Sequence, residues 1–463
     1  MSDLKEQTST DKRRGSASVN TSKISIKHRK AGEFVARESL LTELFHNPHI
    51  NCVRNGFIAG FILMILRHLV DDLLHYGRPN WTFELLFLTV GQLHITIIIW
   101  SVMTFCTTFL VYYGTYIWAK SRKFSGTILK LYDMFWLLIY ICYQIGLFVI
   151  PCWQVNKYQL PFACAATVIL EQLRQILKTH SFVREQAGKI ISPSNKSTDS
   201  QLSSEFSHFN QYLYFLYAPT LVFRDVYPRT STIRWNIVFQ MFGQVLIGTV
   251  LLYHVIAYYW MPVFARCFTD TELTYPSVIT SIFDLMLPGV LFFVIGFYGF
   301  FHCWLNGFAE LLRFADRTFY QDWWNATSSG TFWRSWNIVV HDWLHVYVYK
   351  DLIKLFSGNK KLSAICVVIF SAILHEYCMS IVFGFCSVIF IVWFGLVGMF
   401  LRIVFPHSKG TLWNIIILTM TPISLAVVPY FYALEISARH FPSNRATFWD
   451  AMFKYGNESK ADL

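Results

Sequence analysis

Residues 362–390 read LSAICVVIFSAILHEYCMSIVFGFCSVIF. Apart from cysteines and Tyr377, the only ionisable side chains in this stretch are His375 and its neighbour Glu376. A spanning helix needs about 20 mostly apolar residues, and this run supplies them. It is therefore read as membrane-embedded. An ionisable side chain at that depth costs at least ~2.5–3.5 kcal/mol on insertion scales, so His375 is a functional candidate by default. The other reading, a polar residue satisfied at a helix–helix contact, stays open on this stretch alone.

The rest of the chain agrees with a membrane setting. Its 463 residues are 54% hydrophobic and 14% charged, with mean hydropathy +0.40, whereas soluble domains carry about 25% charged residues. Apolar stretches fall near 54–74, 86–118, 131–151, 159–177, 236–260, 278–306, 361–383, 386–405 and 412–437. The expected fold is all-α, a polytopic helical bundle of about nine transmembrane helices. The first stretch is short and carries Arg67 and His68.

Cytoplasmic loops carry an excess of Lys and Arg. Residues 1–50 are polar and basic, and Lys120-Ser121-Arg122-Lys123, Arg174 to Lys196, Arg313 to Lys361, and Arg402 with Lys409 form basic segments at alternate ends of the spans. Nine spans with a cytosolic N-terminus and a luminal C-terminus satisfy these signals. The net charge of +11 then speaks to topology and to membrane lipids rather than to nucleic acid. Residues 1–50 lack an apolar signal-peptide core and read as a disordered cytosolic tail. Residues 51–440 form the membrane domain, Ser-rich 191–207 a mobile cytosolic linker, and 441–463 a luminal tail.

The ten cysteines show no zinc-type spacing. Cys152 and Cys267 fall at luminal ends and are candidates to pair. No internal repeat is visible, which counts against many transporter folds.

Within 307–360, a cytosolic Trp-rich region, two segments stand out: FYQDWWN (319–325) and TFWRSWNIVVHDWLHVYVYKD (331–351). On one continuous helix, Arg334, Asn337, His341 and His345 share a polar stripe, opposite Trp336, Val340, Trp343 and Tyr347. An interfacial helix explains the aromatic stripe but not the polar one. His341 and His345 have the i,i+4 spacing of paired metal ligands, but no third ligand is evident, so no metal is expected. On the other helix, Ser371, Cys378 and Met379 share the face of His375. A neutral His there is a competent general base, and Cys378 is a covalent alternative.

These residues resemble the membrane-bound O-acyltransferase family. Phe319, Tyr320, Asp322, Trp323, Trp324 and Asn325 match its FYxDWWN motif. WNIVVHDW and YVYKD look like the sterol O-acyltransferase branch more than the diacylglycerol branch, and HEY at 375–377 looks like the catalytic His motif. YLYFLYAPTLVFRDVYPRTSTIRW (212–235) is similar to a further family segment. The resemblance runs from about residue 50 to 440 and depends on the conjunction of these motifs.

The resemblance implies an endoplasmic-reticulum homo-oligomer, a dimer or tetramer, that moves a long-chain acyl group from acyl-CoA onto a sterol 3β-hydroxyl. It implies His375 and Asn337 as catalytic residues. It also implies Arg334, Trp336, His341, Tyr349, Lys360, Lys361 and Ser371 as acyl-CoA contacts, with no cofactor beyond that co-substrate. The luminal disulfide near the C-terminus of mammalian sterol-branch enzymes has no counterpart, because the last cysteine is Cys386. Diacylglycerol or a fatty alcohol as acceptor, a proton-coupled transporter and a metal oxygenase are the rival readings.

Overall fold

A computed structural model describes residues 30–79, 84–191, 206–269, 274–400 and 410–440. The expected tail at 441–463 lies outside these residues, as do 1–29 and 192–205. Among the described residues all regular structure is helical. In chain order the elements are α1 (Leu40–Leu44), α2 (Pro48–Tyr76), α3 (Leu85–Lys120), α4 (Gly126–Lys157), α5 (Phe162–Ile191), α6 (Phe209–Tyr217) and α7 (Trp235–Phe268). There follow α8 (Tyr275–Leu311), α9 (Ser329–Trp336), α10 (Ile338–Trp343), α11 (Lys350–Leu355), α12 (Lys360–Phe383), α13 (Ile391–Phe400) and α14 (Thr411–His440).

Six helices among the described residues are long and apolar enough to cross a membrane: α3, α4, α7, α8, α12 and α14. The other three expected spans differ for physical reasons. Helix α2 is long but carries Arg54, Arg67, Asp71 and Asp72. Helix α5 buries polar residues against its neighbours, with Gln172, Gln175 and Lys178 at most 2% exposed. Protein, not lipid, surrounds that face, so it need not be apolar. Only ten apolar helical residues, Ile391–Phe400, cover the expected span at 386–405, and 401–409 lie outside the described residues.

Lys178 shows how such a polar residue is accommodated. Its ammonium donates to the carbonyls of Phe215, Leu216 and Ala218 at 2.6, 2.9 and 2.7 Å. These are carbonyls at the C-terminal end of α6, which have no partner within the helix. A buried cation thus closes the end of α6 and fixes the chain that follows.

At the end of the bundle where α2 and α7 begin and α8 finishes, three extended segments are clamped together. Ala315 donates its N–H to Pro228 O, Arg37 to Ala315 O, and Arg317 to Arg37 O, at 2.9–3.1 Å. Beneath them Glu310, fully buried, pairs with Arg234 and Arg317, and Glu38 reaches both arginines. Charges are tolerated there because each meets its opposite. This corrects the expectation of a disordered 1–50 for its described part. Residues from Ala31 pack into the fold, and Ser39 is fully buried. Likewise Phe206 and Ser207, the end of the expected 191–207 linker, are buried, with Gln186 Nε2 donating to Ser207 Oγ.

Cys152 and Cys267 do not pair; both are free thiols. Cys152 Sγ lies 2.8 Å from Tyr377 Oη, while Cys267 is buried among Val263, Leu285 and Ala426.

Candidate active site

His375 stands on α12, fifteen residues past the start of that helix, or about 22 Å along its axis at 1.5 Å per residue. Its Nδ1 is 2.7 Å from Ser371 O, and its ring stacks on Phe390 at 5.4 Å and 15°. A carbonyl only accepts, so Nδ1 carries a proton, and whenever the ring holds that proton alone Nε2 keeps its lone pair. The side chain is exposed with respect to protein atoms. A base with a free lone pair and open access is the result.

The residues beside it turn elsewhere. Glu376 is 3% exposed. Its carboxylate accepts from the N–H groups of Ser387, Val388 and Phe390 at 3.3, 3.1 and 2.9 Å, and from Tyr432 Oη at 3.2 Å. It therefore closes the start of α13, where donors lack partners, and ties that turn to α14. The chain enters this turn at Gly384, φ +78°, and passes Val388 at φ +56°. The same carboxylate fixes Phe390, on which His375 stacks. Tyr377 points to α4 and α5, stacking on Phe148 at 4.4 Å.

The polar stripe is not one helix. Helix α9 ends at Trp336, and Asn337 is extended, φ −137° and ψ 88°, before α10 begins. FYQDWWN makes this break. Ile338 N–H donates to Phe319 O at 3.0 Å and Gln321 N–H to Ser335 O at 2.8 Å, replacing the helical bonds that the break removes. Phe319 and Tyr320 are 1% exposed and Tyr320 Oη lies 2.8 Å from His302 Nδ1. Trp323 is buried, and Asp322 precedes a single 3-10 turn over Trp323–Asn325, its carbonyl accepting from Asn325 N–H at 2.9 Å. Asn414 of α14 donates to the carbonyls of Trp324 and Ala326. Asn325 is exposed. The motif thus locks a backbone break rather than presenting reactive groups.

The break turns Asn337 into the cap of α10. Its Oδ1 accepts from Val340 N–H at 3.1 Å, which fixes the amide and leaves both Nδ2 hydrogens to donate. Asn337 and His375 make no hydrogen bond to each other among the described residues. An aromatic file links their elements: Trp333 meets Phe394 at 5.4 Å, Phe394 stacks on Phe390 at 4.6 Å, and Phe390 on His375.

The remaining expected contacts divide. Arg334, Lys360 and Lys361 are exposed cations, the two lysines at the N-terminus of α12. Trp336 sits among aromatic rings, stacked on Phe293 at 4.3 Å. Ser371 contributes its carbonyl to His375. His341 lies 6.1 Å from His345, and the His345 ring 5.4 Å from that of Tyr349. Burial, with His345 and Arg334 nearby, pushes the His341 imidazole down to about 4, so it is neutral at pH 7. Asp342 accepts from Gly32 N–H, and Nδ1 of His345 is buried without a hydrogen-bond partner among the described residues. Among the described residues no three His, Cys, Asp or Glu side chains converge as a metal site requires. No bond joins His375 to Cys378, which packs towards Leu147 and Cys152.

Sequence reading missed Gln172, Phe390 and the capping role of Glu376. Glu376 was conspicuous as a carboxylate in an apolar run. Gln172 and Phe390 carry no local signal, because their partners are distant in sequence.

A family model for MBOAT, the membrane-bound O-acyltransferase family, matches residues 81–421. Sterol O-acyltransferase 1 of Mus musculus is 38% identical over 421 residues, which cover 90% of this chain and 77% of that protein. Sterol O-acyltransferase 1 of Rattus norvegicus is 38% identical over 421 residues, 90% of this chain and 76% of its own. Sterol O-acyltransferase 2 of Homo sapiens is 34% identical over 419 residues, covering 90% and 78%. By the match of its residues 81–421 and its identity to sterol O-acyltransferases, the chain, a bundle of apolar helices with a broken Trp-rich region, belongs to the membrane-bound O-acyltransferase family.

Proposed function

We propose that this protein esterifies a sterol 3β-hydroxyl with a long-chain acyl group from acyl-CoA, His375 acting as general base. The observation that carries the mechanism is the Nδ1–H bond to Ser371 O, which leaves Nε2 free to take a proton. The sterol O–H proton passes to Nε2 as its oxygen attacks the thioester carbonyl. The tetrahedral intermediate collapses, the carbon–sulfur bond breaks, and the proton leaves on the CoA thiol. Sterol ester and free CoA are the products.

Asn337 aims its Nδ2 donors at the developing oxyanion, a contribution typically worth ~10²–10³-fold in turnover. Arg334, Lys360 and Lys361 meet the CoA phosphates. The N-terminus of α12 adds its dipole to the two lysines, as helix ends do for anions. His341 and Tyr349 line the same approach, neutral His341 as a hydrogen-bonding group. These steps draw on side chains and acyl-CoA alone. Placement at bilayer depth keeps water from diverting the acyl group.

The same reading takes α2, α5 and the α13 region as spans beside the six apolar helices, nine in all. The N-terminus and CoA approach are cytosolic, the C-terminus luminal, in an endoplasmic-reticulum homo-oligomer. Helices α2 and α5 have 29 and 30 residues, above the ~20 a crossing needs.

The test is acyl transfer by purified protein in nanodiscs with labelled oleoyl-CoA and cholesterol, diacylglycerol or a fatty alcohol in competition. Cholesteryl ester is the expected main product. His375→Ala is expected to lose activity by at least ~10²-fold. Preference for diacylglycerol overturns the acceptor, and a tenth or more of activity in His375→Ala overturns the base.

A further inference from the structure

Helix α4 contains Pro151. Proline has no N–H, so the carbonyl four residues earlier, Leu147 O, loses its helical partner. The gap is filled from α5. Gln172, fully buried, donates its Nε2 hydrogens to Leu147 O at 2.9 Å and Phe148 O at 2.7 Å. That commits the orientation of its amide. The remaining oxygen, Oε1, accepts from Tyr377 Oη at 2.7 Å. Cys152 Sγ lies 2.8 Å from the same hydroxyl, and the Tyr377 ring stacks on Phe148.

Tyr377 is two residues beyond His375, so about 200° round the helix at 100° per residue. Anchoring Tyr377 to α4 and α5 turns His375 to the opposite, open side. A rotation of α12 or a slip along its axis strains the bond to Gln172, since an amide held by two carbonyls is not free to follow. The proline gap therefore selects the orientation of Gln172, and Gln172 selects that of α12.

We propose that Gln172 and Tyr377 are positioning residues for His375, the Gln172–Tyr377 bond setting the angle at which the imidazole meets its substrate. This rests on His375 being the general base. A misplacement of about 1 Å near reacting atoms costs up to ~10²-fold in rate, so one hydroxyl held at the back of the helix has leverage on turnover. It has little on acyl-CoA affinity, which depends on side chains elsewhere.

Tyr377→Phe is the deciding variant, since it removes one oxygen and keeps the ring on Phe148. Steady-state kinetics per folded molecule, counted by fluorescence-detected size exclusion, should show kcat down at least tenfold with KM for acyl-CoA within twofold. Gln172→Met should do the same, and the double variant should be no slower than the slower single. A purely structural bond would lower the folded amount and leave kcat per folded molecule unchanged. Wild-type kcat in Tyr377→Phe, or losses that multiply in the double variant, overturns the proposal. Inactive His375→Ala beside normal Tyr377→Phe sinks this inference alone. Active His375→Ala sinks the general-base reading beneath it.

Discussion

Asn337 has two tasks on one amide, and substitution can separate them. The oxygen caps α10 through Val340 N–H, while the nitrogen carries the donor role proposed for the oxyanion. Asn337→Asp keeps the capping acceptor and loses both donors, so it should fold with wild-type thermal stability but turn over ~10²–10³-fold more slowly. Asn337→Ala should show the same loss of rate plus ~0.5–2 kcal/mol of destabilisation from the missing cap. Melting curves and initial rates on the pair check this; equal stability of the two variants would remove the capping role. His341 offers a pH test. Its folded-state pKa of about 4 lies below the ordinary 6.5, because burial disfavours the charged ring. The stability this represents is complete above pH 6.5 and is lost as pH falls through about 4. Wild-type protein should lose more thermal stability over that interval than His341→Gln. Any inflection of the rate profile between about pH 5.5 and 8 should survive His341→Gln, since the ring is already neutral there.

At the scale of elements, the turn from α12 to α13 depends on one carboxylate. Glu376 holds three backbone N–H groups and the Tyr432 hydroxyl. Removing it leaves buried donors unpaired, at ~1–3 kcal/mol for each group left unsatisfied. Glu376→Ala should speed amide hydrogen exchange in residues 387–390 while the amides in the first half of α12 stay protected. Unchanged exchange at 387–390 would mean that packing, not the carboxylate, forms the turn. The Trp-rich region follows the same logic. Its helix breaks at Asn337 because FYQDWWN supplies the bonds that the break costs, a partnership that no helical-wheel projection contains.

Across the whole molecule, the consequential prediction is topological. Asn20, Asn80, Asn195 and Asn457 are glycosylation sequons outside the described residues, and Asn325 is exposed in the broken region. With nine spans, a tag at the C-terminus should be protected from protease in sealed microsomes and a tag at the N-terminus cleaved. Asn325, cytosolic on that topology, should carry no glycan. A glycan on Asn325, or digestion of the C-terminal tag in intact vesicles, would reverse the face on which Arg334, Lys360 and Lys361 await CoA.

Hydrophobic length and charge bias were enough to read a helical membrane protein from the chain, since both follow from the cost of placing apolar groups in water and charges in lipid. His375 stood out for the same reason, as an ionisable group in an apolar run. The six apolar spans were legible too, but α5 was not readable as a helix with one face buried in protein. Lys178 and Gln172 look too polar for the bilayer until α4 and α6 provide carbonyls for them. The continuous polar stripe of Arg334, Asn337, His341 and His345 was an artefact of assuming one helix. Tertiary structure alone decided the break at Asn337 and the paths of Glu376 and Tyr377. Each depends on hydrogen bonds to residues distant in sequence, and spacing along a sequence does not say which donors and acceptors the fold leaves unpaired.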